Sequence, residues 1–398
     1  MKCKKIKAGY GSIWCALLLL ICPMGAVAVG DTPPSIEIQN VAYSESDDDV
    51  IPVVLAADNN YGPQMYITML SILKNSNADT RYDFYLLVPS DFKIRYKNPI
   101  LELGASYGAK INFVDVGTAF ADVPLKNDWP APSYYRLLIP SSLPNYKKCL
   151  YLDTDIIVRH DLGKLLNTDL EDCYIAGVKE DHRWVKEVTP LLALDVHESD
   201  HYVNSGVLVM NLDLMRRDNL QAKLVSMAKH GFDGERTFLS LDQDILNVVC
   251  RDRIKLLDLK FNVFSRIPEA MLNSECERVK IQKFYGEKHL HDACNDPVII
   301  HFTGEKPWQS PTKMLDNKWW EICRLSPFYE EILCKYIESR VMAVIDARMA
   351  VVDVRCRAFR YNKYTYYRCK ILSKLTFGKK RTHYQHKCEE IKKALGIH

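Results

Sequence analysis

The sequence predicts an α/β fold: a mixed, mainly parallel sheet flanked by helices, followed by a helical, basic C-terminal region. Three observations predict it. Short unbroken apolar runs recur from Val50 onward, the pattern of strands buried on both faces. Segments with apolar residues at helical spacing alternate with those runs, which implies parallel strands joined by covering helices. The acidic and histidine motifs stand just after the apolar runs, where open α/β sheets place their ligands.

Taken in order, Val50 to Ala56 is the first buried strand, and Tyr61 to Lys74 carries Met65, Met69, Ile72 and Leu73 at helical spacing. Tyr82 to Val88 is a second strand, Asp91 to Tyr107 suits a helix, and Lys110 to Val114 is a third strand. Lys148 to Leu152 is a short apolar strand that ends in acidic residues. Tyr174 to Val178 and Val203 to Met210 read as strands, Asn211 to Lys229 and Ser240 to Cys250 as helices. Val298 to His301 is a late strand, and from about Lys318 the chain reads as helical, then increasingly basic and aromatic.

Of 398 residues 47% are hydrophobic, which allows a substantial core and excludes global disorder. The net charge of +3 conceals an asymmetry: Val351 to His398 holds 13 Lys+Arg against 3 Asp+Glu, so the body is acidic and the tail basic. Residues 1–30 read as a signal peptide or a membrane anchor: Lys2, Lys4, Lys5 and Lys7 precede an apolar run from Ile13 to Val29 that contains Ala26-Val27-Ala28. Residues 31–49, with Pro33-Pro34 and Asp47-Asp48-Asp49, form an acidic linker. A catalytic domain over 50–317 and the helical, basic-aromatic region over 318–398 complete the expected organisation. Ten of the 13 cysteines lie beyond the leader. Export would permit disulfides among them, and scattered buried thiols are the alternative.

The most informative stretch is Tyr151-Leu152-Asp153-Thr154-Asp155-Ile156-Ile157-Val158. Side chains at i and i+2 of an extended backbone point the same way. Two carboxylates projecting together from a buried strand end require a cation or a shared proton. Oxygen ligands suit Mn²⁺ or Mg²⁺, ions that also bind substrate phosphates. His301 closes the run Val298-Ile299-Ile300 and is a third candidate ligand; a hydrogen-bonded core histidine is the bland alternative. Gly304 and Lys306 follow at once, a glycine for close backbone approach and a cation for phosphate.

These residues fall in a series. Ala56-Ala57-Asp58-Asn59-Asn60-Tyr61, Tyr135-Arg136, Asp153-Thr154-Asp155, Asn204-Ser205-Gly206-Val207, Asp242-Gln243-Asp244 and His301-Phe302-Thr303-Gly304 occur in that order from about Val50 to Trp308. The series resembles glycosyltransferase family 8. The resemblance implies a GT-A fold, a UDP-hexose donor, Mn²⁺ and retention of anomeric configuration. By motif it implies that Ala57, Asp58 and Asn60 meet the uridine, that Tyr61 stacks near the base, and that Arg136 contacts the donor. It assigns the metal to Asp153, Asp155 and His301, with Thr154 between the acidic ligands. Asn204 and Ser205 would line the sugar pocket, Asp242 would bind sugar hydroxyls, and Gly304 and Lys306 would hold the diphosphate. One residue rather than two separates Gly304 from Lys306, a departure from many family members.

Gln243 stands where the family places a glutamine near the anomeric carbon. An amide oxygen is a poor nucleophile but stabilises developing positive charge, so Gln243 and Asp242 are the candidate catalytic residues and same-face substitution is the expected route. A structural reading competes. Ser240-x-x-Gln243 is a capping-box pattern, in which Gln243 would reach back to the Ser240 backbone N–H. Asp58 carries a similar ambiguity between base recognition and capping a helix near Tyr61. Glu180 and Asp181 are possible acceptor-side carboxylates, with an exposed loop pair as the default reading.

The tail interleaves Arg355, Arg357, Arg360, Lys363, Arg368, Lys370, Lys374, Lys379, Lys380 and Arg381 with Phe359, Tyr361, Tyr364, Tyr366, Tyr367 and Tyr384. Such mixing suits an anionic membrane surface; a nucleic-acid surface and a solvated helical face with its aromatics packed on the domain are the alternatives, and nothing in the catalytic set calls for nucleic acid. The expected partners are therefore a UDP-hexose, a glycan or lipid-linked saccharide acceptor, and the membrane. A UDP-sugar hydrolase or nucleotidyl-type enzyme, and a non-catalytic membrane-surface protein, are the alternatives. The expected location is membrane-associated, exported if the leader is used and otherwise peripheral on the cytoplasmic face.

Overall fold

The computed structural model describes residues 50–120, 123, 131–195, 200–231, 238–310, 314–375 and 378–394. The leader 1–30 and the linker 31–49 lie outside the described residues. Strands are β1 (Val50–Ala56), β2 (Arg81–Val88), β3 (Lys110–Asp115), β4 (Lys148–Leu152), β5 (Ile156–Val158), β6 (Ile175–Lys179), β7 (Val203–Asn211), β8 (Ile254–Leu256), β9 (Val263–Phe264) and β10 (Ile299–His301). Seven form one sheet in the order β3-β2-β1-β4-β7-β6-β8, and β5-β10-β9 form a second. In the large sheet β1–β2, β2–β3, β1–β4 and β6–β8 pair in parallel, whereas β7 runs antiparallel to both β4 and β6. The sheet is thus mixed and mainly parallel, as the alternating pattern requires.

Unbroken apolar strands follow from burial on both faces. In β1, Val53 and Leu55 enter one core while Val54 and Ala56 enter the other; in β4, Leu150 and Leu152 oppose Cys149 and Tyr151. Helix α1 (Gly62–Lys74) is buried along Gly62–Leu73, not only on the face that periodicity marks. It packs against β5, helix α2 (Ile94–Tyr107) and the helix Asp316–Cys323, so each of its sides meets protein. Its hydroxyls serve those contacts. Thr68 Oγ1 donates to the carbonyls of Thr154 and Ile156 at 3.0 and 3.1 Å, and the Val158 N–H donates to Ser71 Oγ at 3.0 Å. The segment that carries the acidic pair is tied to the core in this way.

Two expectations are revised. The span Asn211–Lys229 is two helices, Leu212–Arg217 and Leu220–His230, separated at Asn219, whose φ of +49° is left-handed. Asparagine tolerates that conformation better than most residues. The helix Asp316–Cys323 straddles the 317/318 boundary drawn from composition, and its Trp319 and Cys323 are buried in the same core as β1. Beyond it run the long helix Tyr329–Leu375 and the helix Lys379–Ala394, which pack on each other. Among the described residues no helix is long and apolar enough to cross a membrane, and the cysteines carry free thiols.

Candidate active site

The carboxyl ends of β1, β4 and β6 and the start of β7 border a cleft of about 850 Å³. Its floor is the acidic motif. The Asp153 N–H donates to the Gly206 carbonyl at 2.8 Å, locking the end of β4 to β7. Beyond Thr154 the chain enters β5, which pairs with β10 so that His301 lies opposite Ile156. The small sheet therefore brings a histidine 146 positions away beside Asp155. His301 Nε2 stands 3.2 Å from Asp155 Oδ1 and 3.8 Å from Asp153 Oδ2. One ligand atom from each of the three residues falls within 4.8 Å of the others, a set able to hold a metal ion.

The surroundings fit such an ion. A Cβ on Gly206 would come 2.3 Å from His301 Cε1 and 2.6 Å from Asp153 Oδ2, so the group of ligands sits directly on a residue without a side chain. Asp155 bonds the Lys306 ammonium. Burial raises its pKa, but Lys306 and His301 overcome that and hold the carboxyl far below the usual range. Burial likewise works against the charge of Lys306, yet Asp155 lifts its pKa above the ordinary lysine value. Lys306 also donates to the Phe302 carbonyl at 2.9 Å. The single residue between Gly304 and Lys306 thus still lets the ammonium reach the acidic pair.

Arg136 is buried and joins the two halves of the site. Its Nη2 meets Asp153 Oδ1 at 2.8 Å, its Nε meets Asp242 Oδ2 at 3.0 Å, and its Nη1 donates to Ser205 O and Oγ at 2.7 and 2.9 Å. The guanidinium lies 4.4 Å above the Tyr151 ring, and the Tyr151 hydroxyl donates to Asp153 Oδ1 at 2.8 Å. Ser205 Oγ donates to Asp242 Oδ2 at 3.0 Å. Burial pushes the Asp242 carboxyl up to about 6 against the pull of Arg136.

Gln243 does not make the capping bond. Asp244 makes it instead: its Oδ2 accepts from the N–H groups of Leu239 and Ser240 at 2.6 and 2.8 Å. Gln243, one position earlier on the helix Leu241–Val249, turns into the cleft. Its Oε1 accepts from the Ser205 N–H and Asn204 Nδ2 at 3.0 and 3.1 Å, and its Nε2 donates to Glu180 Oε2 at 3.1 Å.

Most of the remaining motif residues line the same cleft: Ala57, Asp58, Tyr61, Thr154, Asn204 and Gly304. Asp58 lines the cleft, and its Oδ1 accepts from the N–H groups of Asn60 and Tyr61 at 2.8 and 3.3 Å in the turn before α1; it does not cap that helix, whose N-cap is Tyr61 with no side-chain cap bond. Asn60 is exposed and bonds Asp58 Oδ2 through its Nδ2 at 3.0 Å; it braces Asp58 and is not among the residues lining the cleft. Tyr61 meets the edge of Trp308, ring centroids 6.0 Å apart. Gly304 has φ +78°, a left-handed conformation that favours glycine.

The default reading of Glu180 and Asp181 as an exposed loop pair is overturned: both are buried. Arg266 explains it, binding Glu180 at 3.2 Å, Asp181 at 3.1 Å and the Thr303 hydroxyl. Arg266 and Asn262 escape a reading by motif because they come from a stretch with no local signature.

Solved structures share this architecture. The chain superposes on the bifunctional glycosyltransferase WbbM with a TM-score of 0.62 and 24% identity, over 75% of this chain and 54% of that one. It superposes on the galactosyltransferase LgtC in complex with donor and acceptor sugar analogues with a TM-score of 0.57 and 24% identity, over 70% and 96%. Sheet order and cleft define the GT-A glycosyltransferase fold. Residues 52–312 match the profile of Glycosyl transferase family 8, and the chain belongs to that family and is a glycosyltransferase. Relatives include General stress protein A of Bacillus subtilis, 27% identical over 67% of this chain and 90% of that protein. A lipopolysaccharide 1,2-glucosyltransferase of Escherichia coli is 31% identical over 63% of this chain and 71% of that protein.

Proposed function

We propose that the protein is a Mn²⁺-dependent, retaining hexosyltransferase that moves glucose or galactose from a UDP-sugar to a glycan or lipopolysaccharide-like acceptor. The observation that carries this reading is the Asp153–Asp155–His301 group on Gly206, with Lys306 bonded to it. That arrangement suits a diphosphate: hard oxygen ligands and one nitrogen for the ion, and an adjacent ammonium for the phosphate oxygens. Once bound, the ion supplies positive charge to a leaving diphosphate. The similarity to a lipopolysaccharide glucosyltransferase supports the acceptor class.

The residues of the chain supply the rest. Lys306 adds a second positive charge at the phosphates. Asp242, fixed by Arg136 and Ser205, is placed to accept from sugar hydroxyls. Gln243 Oε1 already receives two hydrogen bonds, which weakens it further as a nucleophile and leaves it a dipole for developing positive charge. This supports same-face substitution: the acceptor oxygen bonds the anomeric carbon as the bond to diphosphate breaks, and the acceptor proton passes to the leaving diphosphate.

Membrane association belongs to the same proposal, whether the chain is exported or peripheral on a cytoplasmic face. Its support is the basic tail, where Arg368, Lys370, Lys374, Lys379, Arg381 and Lys387 are exposed. The test of function is UDP release by the purified chain with UDP-glucose or UDP-galactose, in Mn²⁺ or in EDTA. Metal-dependent release with one sugar is expected and names the donor. UMP plus sugar phosphate as products, or release unaffected by EDTA, would overturn the reading.

A further inference from the structure

Behind the three candidate ligands the hydrogen bonds form a directed chain. It starts at Glu180, a buried side chain at the end of β6. An ionised carboxylate only accepts. Glu180 Oε1 takes the Asp181 N–H at 2.7 Å and the Arg266 guanidinium at 3.2 Å, which supplies the opposite charge a buried carboxylate needs. Glu180 Oε2 takes Asn204 Nδ2 at 2.8 Å and Gln243 Nε2 at 3.1 Å.

An amide has one donating and one accepting end, so an NH₂ held toward an obligate acceptor sends the carbonyl the other way. Asn204 Oδ1 therefore faces inward, where it accepts the Gly206 N–H at 3.0 Å and Asn262 Nδ2 at 2.9 Å. With its NH₂ spent on Asn204, Asn262 turns Oδ1 toward His301 Nδ1 at 2.9 Å. A carbonyl only accepts, so Nδ1 carries the proton. Nε2 is then the nitrogen left facing Asp153 and Asp155. Metal-binding histidines commonly have their second nitrogen anchored; here the anchor is an amide whose own orientation is set two links away.

We infer that Glu180 is a positioning residue: with the Gly206 N–H it orients Asn204, and through Asn204 and Asn262 it fixes the His301 tautomer that presents Nε2 to the acidic pair, while with the Ser205 N–H it orients the Gln243 amide. The inference rests on reading Asp153, Asp155 and His301 as a divalent-metal site. Glu180→Gln is the informative change, because a glutamine keeps the size but offers an NH₂ as well as a carbonyl. One of the constraints on Asn204 is then withdrawn: its carbonyl can turn to residue 180 at the cost of the Gly206 N–H bond, and the direction of the chain is weakened.

The test is ¹⁵N NMR of the metal-free full-length chain with labelled histidine at about pH 8, where an ordinary imidazole is neutral, with His301 assigned from His301→Gln. The wild type is expected to show a protonated Nδ1. Glu180→Gln is expected to shift His301 to a mixture of tautomers. Adding Asn262→Asp restores Nδ1–H, since a carboxylate at 262 accepts from it whatever stands at 180. Mn²⁺ titration followed by EPR is expected to weaken about tenfold in Glu180→Gln and to recover in the double variant. If Glu180→Gln fails to fold, Asn262→Ala breaks the chain one link later and must release the tautomer. An unprotonated Nδ1 in the wild type, or weakened Mn²⁺ binding with an unchanged tautomer, would overturn the inference. The expected NMR pattern in a protein that binds no Mn²⁺ would instead sink the metal reading and leave the relay standing.

Discussion

Gly206 lies against His301 so closely that one added carbon would stand 2.3 Å from the imidazole Cε1, and the same carbon would meet Asp153 Oδ2 at 2.6 Å. Both neighbours are candidate ligands, and neither is the far end of a flexible chain. Gly206→Ala is therefore expected to separate the ligands and lower metal-dependent activity at least ~100-fold, because misplacement by about 1 Å costs that much. The fold should survive with a loss of about 1–3 kcal/mol from overpacking. Mn²⁺ affinity and Tm measured together check this. Full activity in a stable Gly206→Ala protein would mean that the three side chains do not act as one site.

Gln243 and Asp244 are adjacent and divide two roles that a capping-box pattern would give to one residue. Gln243→Ala is expected to reduce kcat strongly and, because it leaves the buried Ser205 N–H without its acceptor, to cost about 1–3 kcal/mol of stability as well. Asp244→Ala removes the acceptor for two backbone N–H groups and for the Tyr202 hydroxyl. It is expected to cost roughly 1–3 kcal/mol, the penalty for leaving buried donors unsatisfied. Kinetics and thermal unfolding of the pair decide it; a Gln243→Ala enzyme with unchanged kcat and lowered Tm would return Gln243 to a structural role.

What the sequence makes legible follows from range. β1, β2 and β4 are readable because strands buried on both faces leave near-continuous apolar runs. β5 and β9, three and two residues long, are too short for any period, and the helices between Arg266 and Asn295 carry only short apolar triplets, such as Ile267, Ala270 and Met271, in a mostly polar stretch. The acidic pair and His301 are legible because each sits at the end of its own strand. The burial of Glu180 is not, because its cause is Arg266, 86 positions further along. A charge partner at that distance has no local signature, so the usual exposure of acidic pairs wins by default.

Asp181 offers a pH-dependent check on that partnership. Burial would raise its pKa, but the hydrogen bonds and charge of Arg183, together with Arg266, hold its carboxyl down to about 2. A depressed carboxyl contributes stability that is fully present above its unfolded pKa of about 4 and is lost as pH falls through the folded value near 2. The full difference corresponds to about 2 kcal/mol. Urea unfolding of wild type and Asp181→Asn at pH 7 and at about pH 3 should show wild type ahead at pH 7 and the gap narrowing at the lower pH. A gap independent of pH would place the contribution of Asp181 in packing rather than charge.

The tail prediction separates charge from apolar contact. Arg368, Lys370, Lys374, Lys379, Arg381 and Lys387 are exposed on the last two helices, and each basic side chain near an anionic bilayer contributes about 1 kcal/mol. Replacing Lys370, Lys374, Lys379 and Arg381 together with glutamine should therefore weaken binding to phosphatidylglycerol vesicles by about 100-fold or more. Raising the salt should weaken wild-type binding as well, because the screening length falls from about 10 Å at 0.1 M to about 3 Å at 1 M. Activity toward a soluble donor should stay unchanged in the same variant, since none of the four residues lines the cleft. Equal binding to neutral and anionic vesicles would remove the electrostatic basis of the proposal. Loss of soluble activity along with vesicle binding would show that the tail supports the catalytic unit itself, and the basic charge would then need an explanation within the fold rather than at a membrane.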